Sequence, residues 1–84
     1  MPKSVTIYTT DNCPYCTRAK SLLKQKGIPF QETNVTDNPR LRDELEEKTG
    51  WMTVPMIFID GGFIGGCDEL YALDGSGELD KKLR

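Results

Sequence analysis

Apolar residues along the chain alternate, then recur at helical spacing, then alternate again, and each change of period marks an element. Ser4-Val5-Thr6-Ile7-Tyr8 is β-branched and aromatic and predicts a strand. Polar residues Thr9 to Asn12 follow, then Cys13-Pro14, where a proline in the first helical position signals a helix start. From Pro14 to Lys26, the residues Cys16, Ala19, Leu22 and Leu23 fall three or four apart on one face, and Gly27 ends the run. Cys16 thus belongs to the apolar stripe, while Cys13 stands at the helix entrance. Ile28 to Val35, with Ile28, Phe30 and Glu32 alternating and Pro29 at its start, reads as a second strand. Strand, helix and strand in this order form a βαβ unit, which brings the two strands parallel through a right-handed crossover.

Asn38-Pro39 repeats the cap-plus-proline signal, and Leu41 and Leu45 among charged neighbours predict an amphipathic helix that closes at Gly50. Met56 to Ile59, the turn Asp60-Gly61-Gly62, and Phe63-Ile64 read as a hairpin. A short helix from Asp68 to Leu73 and a frayed tail from Ser76 to Leu83 complete the chain. The pattern is α/β: a central four-stranded mixed sheet, made of a parallel βαβ unit plus an antiparallel hairpin, flanked by helices. No repeat or linker divides it, so residues 1–84 read as one domain.

Composition narrows the chemistry. The chain has three Cys and no His, which leaves no imidazole for a nucleophile pair, a metal ligand or a pH switch. A net charge of −2, from 11 basic and 13 acidic residues, gives no positive field for a phosphate backbone, so nucleic acid is not an expected partner. No apolar run reaches the roughly 20 residues of a membrane span, and Met1-Pro2-Lys3-Ser4 leads into no signal-peptide pattern. A cytoplasmic protein without membrane contact is the expectation. An odd number of Cys, two of them separated by only two residues, makes a poor disulfide framework.

Cys13 and Cys16, three apart on a first helical turn, can close a disulfide, and the same geometry makes them unequal. Cys13 faces the unpaired N–H groups and the positive end of the helix dipole, which stabilise a thiolate. Cys16 faces the core and is expected to stay protonated. Asp11, two residues upstream, opposes the effect on Cys13 but is screened where exposed. Three readings of the pair stand at this point: half of a zinc site, a structural or inert pair, and a redox dithiol. Zinc needs four ligands, and only Cys67 and carboxylates remain to complete them. The position after a strand, at a helix start and within a βαβ unit favours the redox dithiol.

Cys13-Pro14-Tyr15-Cys16, then Thr53-Val54-Pro55, then Gly65-Gly66-Cys67-Asp68-Glu69 together resemble the signature elements of dithiol glutaredoxins, over essentially the whole chain. The stretch Asp68-Glu69-Leu70-Tyr71-Ala72-Leu73 resembles the short bacterial type. The resemblance implies a thioredoxin-like fold and a glutathione-dependent thiol-disulfide oxidoreductase, with no tightly bound cofactor or metal and with glutathione as co-substrate. It implies that Cys13 attacks protein disulfides and glutathionylated proteins, that Cys16 resolves protein disulfides, and that Tyr15 shapes the substrate groove. Val54, before a Pro55 expected to be cis, would offer its backbone to the cysteinyl part of glutathione, flanked by Thr53. Gly66, Cys67 and Asp68 would bind the γ-glutamyl end through backbone N–H groups and the Asp68 carboxylate. The Cys67 side chain would do no chemistry, and the protein would act as a monomer.

The chain departs from many relatives at two places. Thr10 stands where they carry a Lys three residues before the nucleophile, and Trp51-Met52 where they carry a basic residue before the Thr-Val-Pro element. Lys20 or Arg18 is then the candidate substitute cation for glutathione, and Trp51 is expected to pack on the second helix. Two other functions remain in view: a thioredoxin-type carrier recharged by a flavoprotein reductase, and a dimeric module bridging an iron-sulfur cluster. Glutaredoxins work at about −200 to −230 mV and thioredoxin at about −270 mV, so the two reductases draw on different donors. Pro14 argues against the cluster, because cluster-binding members of the family usually carry a smaller residue there.

Overall fold

The computed structural model describes residues 4–83. Strand β1 (Val5–Thr9) leads into helix α1 (Pro14–Gln25), strand β2 (Gln31–Asn34) and helix α2 (Pro39–Thr49). The hairpin β3 (Met56–Ile59) and β4 (Gly62–Gly65) follows, then helices α3 (Cys67–Ser76) and α4 (Glu78–Leu83). The sheet order is β2-β1-β3-β4, with β1 parallel to β2 and antiparallel to β3, and β3 antiparallel to β4. The expected mixed sheet is therefore present.

Side-chain alternation assigns the two faces. Val5 and Ile7 of β1 and Ile57 and Ile59 of β3 pack with Ala19, Leu22 and Leu23 of α1 and Leu70 of α3. Met56 and Phe58 point the other way and pack with Val35 and with Leu45 of α2. All four residues of β3 are buried because this central strand is covered on both faces. The hairpin turns at Asp60 and Gly61, both with positive φ (52° and 82°), as a two-residue primed turn requires.

Strand boundaries differ from the sequence expectation in β1 and β2. Thr9 belongs to β1 and is 1% exposed, because its carbonyl accepts Val35 N–H at 2.8 Å and extends the parallel ladder. Strand β2 starts at Gln31, not Ile28. Ile28 N–H closes the end of α1 on Leu23 O at 2.9 Å, and Pro29 has no N–H to give a ladder. Ile28 and Phe30 still pack against the α1-side core.

The tail is not frayed. Leu79 is 1% exposed and Leu83 7%, both within the α1-side core. Lys26 Nζ, at the end of α1, reaches Asp74 Oδ1 at 2.6 Å and Asp80 Oδ1 at 3.6 Å, joining α1 to both C-terminal helices. Two leucines four apart at the chain end are a weak periodic signal, and the core that receives them is assembled from distant segments. Leu79→Ala is expected to cost about 2–5 kcal/mol in urea unfolding of the oxidised protein, the range for a fully buried Leu. A loss under about 0.5 kcal/mol would show that α4 is not part of the core.

Candidate active site

The β1–α1 connection carries the chemistry to the C-terminal end of a central strand. Asn12 takes a positive φ of 56° and turns the chain so that Cys13 becomes the N-cap of α1, with Pro14 at the first helical position. Cys13 and Cys16 are joined as a disulfide. Cys16 N–H donates to Cys13 Sγ at 3.2 Å, the bond by which a side chain caps a helix N-terminus. Cys13 is half-buried, whereas Cys16 is 2% exposed. The two sulfurs are thus unequal in the way their spacing predicts.

The loop before β3 lies against this helix end. Cys13 Sγ is 3.8 Å from the Val54 carbonyl oxygen, and the Val54–Pro55 peptide is cis. On the other side of that loop, the hairpin enters α3. Gly65 has φ 121°, and a Cβ there would lie 2.5 Å from Glu69 Cγ, so only glycine fits. A Cβ at Gly66 would come within 3.2 Å of Pro55 O and 3.6 Å of Trp51 Nε1. Gly66 gives the α3 N-terminus its close approach to the Val54-Pro55 loop, and Gly65 makes room for Glu69.

Between these three elements runs a groove of about 410 Å³. Its walls include Tyr15, Thr53, Val54, Pro55, Gly66, Cys67 and Asp68, together with Arg42, Trp51, Met52 and Glu69. Tyr15 and Met52 are exposed, at 56% and 67%. Residues from three distant segments, singled out by motif, thus meet on one surface.

Four features of the groove were missed or misplaced from sequence. Gly66 N–H is not free for a ligand, because it donates to Glu69 Oε1 at 2.9 Å as half of a capping box. The spacing of Gly66 and Glu69 carries that signal. Lys20 and Arg18 do not border this groove: Lys20 Nζ bonds Glu32 Oε2 at 2.9 Å, and Arg18 lies 5.6 Å over the Tyr71 ring. They extend from other faces of α1, so the groove's cation among the described residues is Arg42, on α2 and 3.4 Å from Glu46. Trp51 does pack beside Leu41 and Leu45 of α2 and edge-on to Phe63, with ring centroids 5.7 Å apart. It also lines the groove, and its buried Nε1 has no hydrogen-bond partner.

Cys67, at the first position of α3, is 5% exposed. Burial pushes its thiol up, beyond what the nearby Arg18 charge offsets. It contributes backbone to the groove wall while its sulfur joins the α1-side core.

Residues 5–64 match the Glutaredoxin family model. The chain is 53% identical over 81 residues to Glutaredoxin 3 of Escherichia coli, covering 96% of this chain and 98% of the relative. It is 53% identical over 79 residues to a glutaredoxin of Pseudomonas aeruginosa, covering 94% of each. The solution structure of glutaredoxin from Brucella melitensis superposes with a TM-score of 0.87 at 49% identity, over 98% of this chain and 89% of that one. A buckwheat glutaredoxin-glutathione complex superposes at 0.89 with 33% identity, over 94% and 74%.

The chain belongs to the glutaredoxin family. Its sheet and helices are the thioredoxin-like fold that the motifs implied. Like its relatives it is a thiol-disulfide oxidoreductase, with Cys13–Cys16 as the redox-active disulfide. The matches favour neither the thioredoxin-type carrier nor the cluster-binding module. After reduction of the disulfide, an uncharged alkylating reagent at neutral pH is expected to label Cys13 first and Cys67 only once the protein unfolds, read by peptide mass. Equal rates at the two sites would contradict the burial of Cys67.

Proposed function

We propose that glutathione is this protein's electron donor and that the groove beside Cys13 binds it, with protein disulfides and glutathionylated proteins as the other substrates. The observation that carries the reading is the convergence of Tyr15, Thr53, Val54, Pro55, Gly66, Cys67 and Asp68 on one groove next to a half-buried, helix-capping Cys13. In this reading the Val54 backbone pairs with the cysteinyl part of glutathione as an added strand, flanked by Thr53 and Pro55. The first-turn N–H groups of Cys67 and Asp68 receive the γ-glutamyl carboxylate, and the exposed Asp68 carboxylate takes its ammonium. Arg42, about a third exposed at its side chain, is the partner for the glycyl carboxylate. Tyr15 covers the cysteinyl part between them. A buckwheat relative has been solved as a glutathione complex, which supports the assignment of ligand class.

The reaction then runs by two exchanges. Cys13 thiolate attacks the glutathione sulfur of a mixed disulfide, the protein thiolate leaves, and a second glutathione attacks the new bond to release glutathione disulfide. With a protein disulfide, Cys13 forms a mixed disulfide to one protein sulfur, Cys16 attacks Cys13, and the substrate leaves as a dithiol. Two glutathiones then reduce the Cys13–Cys16 bond. Both routes need the thiolate of Cys13, and only the second needs Cys16. Neither route requires a resident cofactor, a second copy of the chain or a further domain, which is consistent with one monomeric domain working in the cytoplasm. No helix among the described residues is long and apolar enough to cross a membrane.

Assays on a glutathionylated substrate and on a protein disulfide separate these roles. Cys13→Ser is expected to lose both activities, whereas Cys16→Ser keeps deglutathionylation and loses protein-disulfide reduction. Activity of Cys13→Ser on the mixed disulfide would overturn the assignment of the nucleophile. Arg42→Ala is expected to raise KM for the glutathionylated substrate about 3- to 10-fold, the discounted value of one solvent-screened charge-assisted bond. An unchanged KM would remove Arg42 from the binding surface.

A further inference from the structure

A second concavity borders the cysteines and shares no lining residue with the first. This polar groove, about 580 Å³, is lined by both Cys13 and Cys16 and by Asp11, Lys20, Glu32 and Asn34 among others. Its composition follows from the fold. In the parallel pairing Glu32 lies beside Ile7, whose side chain is in the α1-side core, so Glu32 faces α1. Lys20 stands one helical turn beyond Cys16 and on the same face of α1.

The groups there are held in place. Glu32 Oε2 accepts from Lys20 Nζ at 2.9 Å and from Thr9 Oγ1 at 2.7 Å, and Thr9 is 1% exposed. Asp11 Oδ1 accepts from Asn34 Nδ2 at 2.9 Å. The Lys20 bond first, and the Thr9 bond second, hold the Glu32 carboxyl below its ordinary range, so it is charged throughout the range in which thiols titrate.

Cys16 must lose its proton before it can attack the mixed disulfide on Cys13, and desolvation on the apolar stripe disfavours its thiolate. The charged groups around its groove are Lys20 on α1, Glu32 on β2 and Asp11 in the loop between β1 and α1; Lys24 on α1 acts on Glu32 from further along the helix. From α3, Asp68 and Glu69 border the other groove. Among the described residues, Lys20 is therefore the cation on the Cys16 side.

We propose that Lys20 supplies the counter-charge to the Cys16 thiolate in the resolving step, and that Glu32 is the competing anion that holds the Lys20 ammonium between turnovers. This rests on the reading of Cys16 as the resolving thiol. In that step Cys16–SH gives its proton to solvent in the groove, and its sulfur lone pair attacks Cys13 Sγ. The bond between Cys13 Sγ and the substrate sulfur breaks, its electron pair leaves on the substrate thiolate, and that thiolate takes a proton from solvent. The cysteine pair is oxidised by two electrons, the substrate is reduced by two, and no other reactant enters. Along the way the ammonium shifts part of its interaction from Glu32 to the developing thiolate.

The test is a titration of Cys16 by its ultraviolet thiolate absorbance in a Cys13→Ala, Cys67→Ser background. Removing the cation by Lys20→Met raises the midpoint, and removing the opposing anion by Glu32→Gln lowers it, each by on the order of 0.5 pH unit. Lys20→Arg restores the midpoint of the parent. A purely structural pair would respond alike to both substitutions, since each breaks the same bond. The second reading is single-turnover release of glutathione from the Cys13 mixed disulfide, in variants that keep all three cysteines. Its pH profile is expected to move up for Lys20→Met and down for Glu32→Gln. Midpoints that stay fixed, or that move together, while wild-type release is normal, overturn the proposal alone. A wild-type mixed disulfide that releases no glutathione overturns the role of Cys16 and the proposal with it.

Discussion

The hydrogen bond from Cys16 N–H to Cys13 Sγ at 3.2 Å is the interaction on which the rest of the site depends. It makes a sulfur the cap of α1, so the group that satisfies the helix end is also the group that must carry negative charge. A hydrogen bond to a charged partner contributes about 1.5–3 kcal/mol, against about 0.3–1 kcal/mol for an exposed helix dipole. The capping bond therefore outweighs the dipole in favouring the thiolate. It exists only because Asn12 turns the chain and Pro14 starts the helix immediately after Cys13. Thiol-disulfide exchange then needs no imidazole, which fits a chain without His.

From that point the molecule divides its work between two sides. The Val54-Pro55 loop and the α3 N-terminus approach one another closely at Gly66 and form an amphipathic groove reaching from Asp68 to Arg42. The other groove is polar and brings Cys16 together with the Lys20–Glu32 pair. A substrate bound on the first side leaves the second, which both cysteines line, open to solvent. The C-terminal helices matter to both, because Leu70, Leu79 and Leu83 fill the core beneath α1.

Much of this was legible in the sequence because it is written in local signals. Proline at a helix start, glycine at a helix end and a change from period two to helical spacing located the strands and helices to within a few residues. The three cysteine-, proline- and glycine-bearing motifs pointed to the residues that meet at the groove. What escaped detection depends on contacts between distant segments. Leu79 and Leu83 read as tail because nothing near them shows the core that accepts them. Lys20 and Arg18 were the candidate cations by nearness to Cys13, but helix geometry keeps them out of the first groove, and Arg42 reaches it from α2. Glu69 was quoted only as part of a motif, although its place three residues after the N-cap lets its carboxylate take the Gly66 N–H and remove it from the ligand surface.

The central claim is that the end of α1 holds Cys13 as a thiolate at the pH of the cell. Its most direct measurement is the pH dependence of the alkylation rate of Cys13 in the fully reduced protein, with the site of modification read by mass. The account predicts a midpoint clearly below the value of about 8.5 of a free cysteine, returning towards it when the protein is unfolded. A midpoint at or above that value in the folded protein would contradict it.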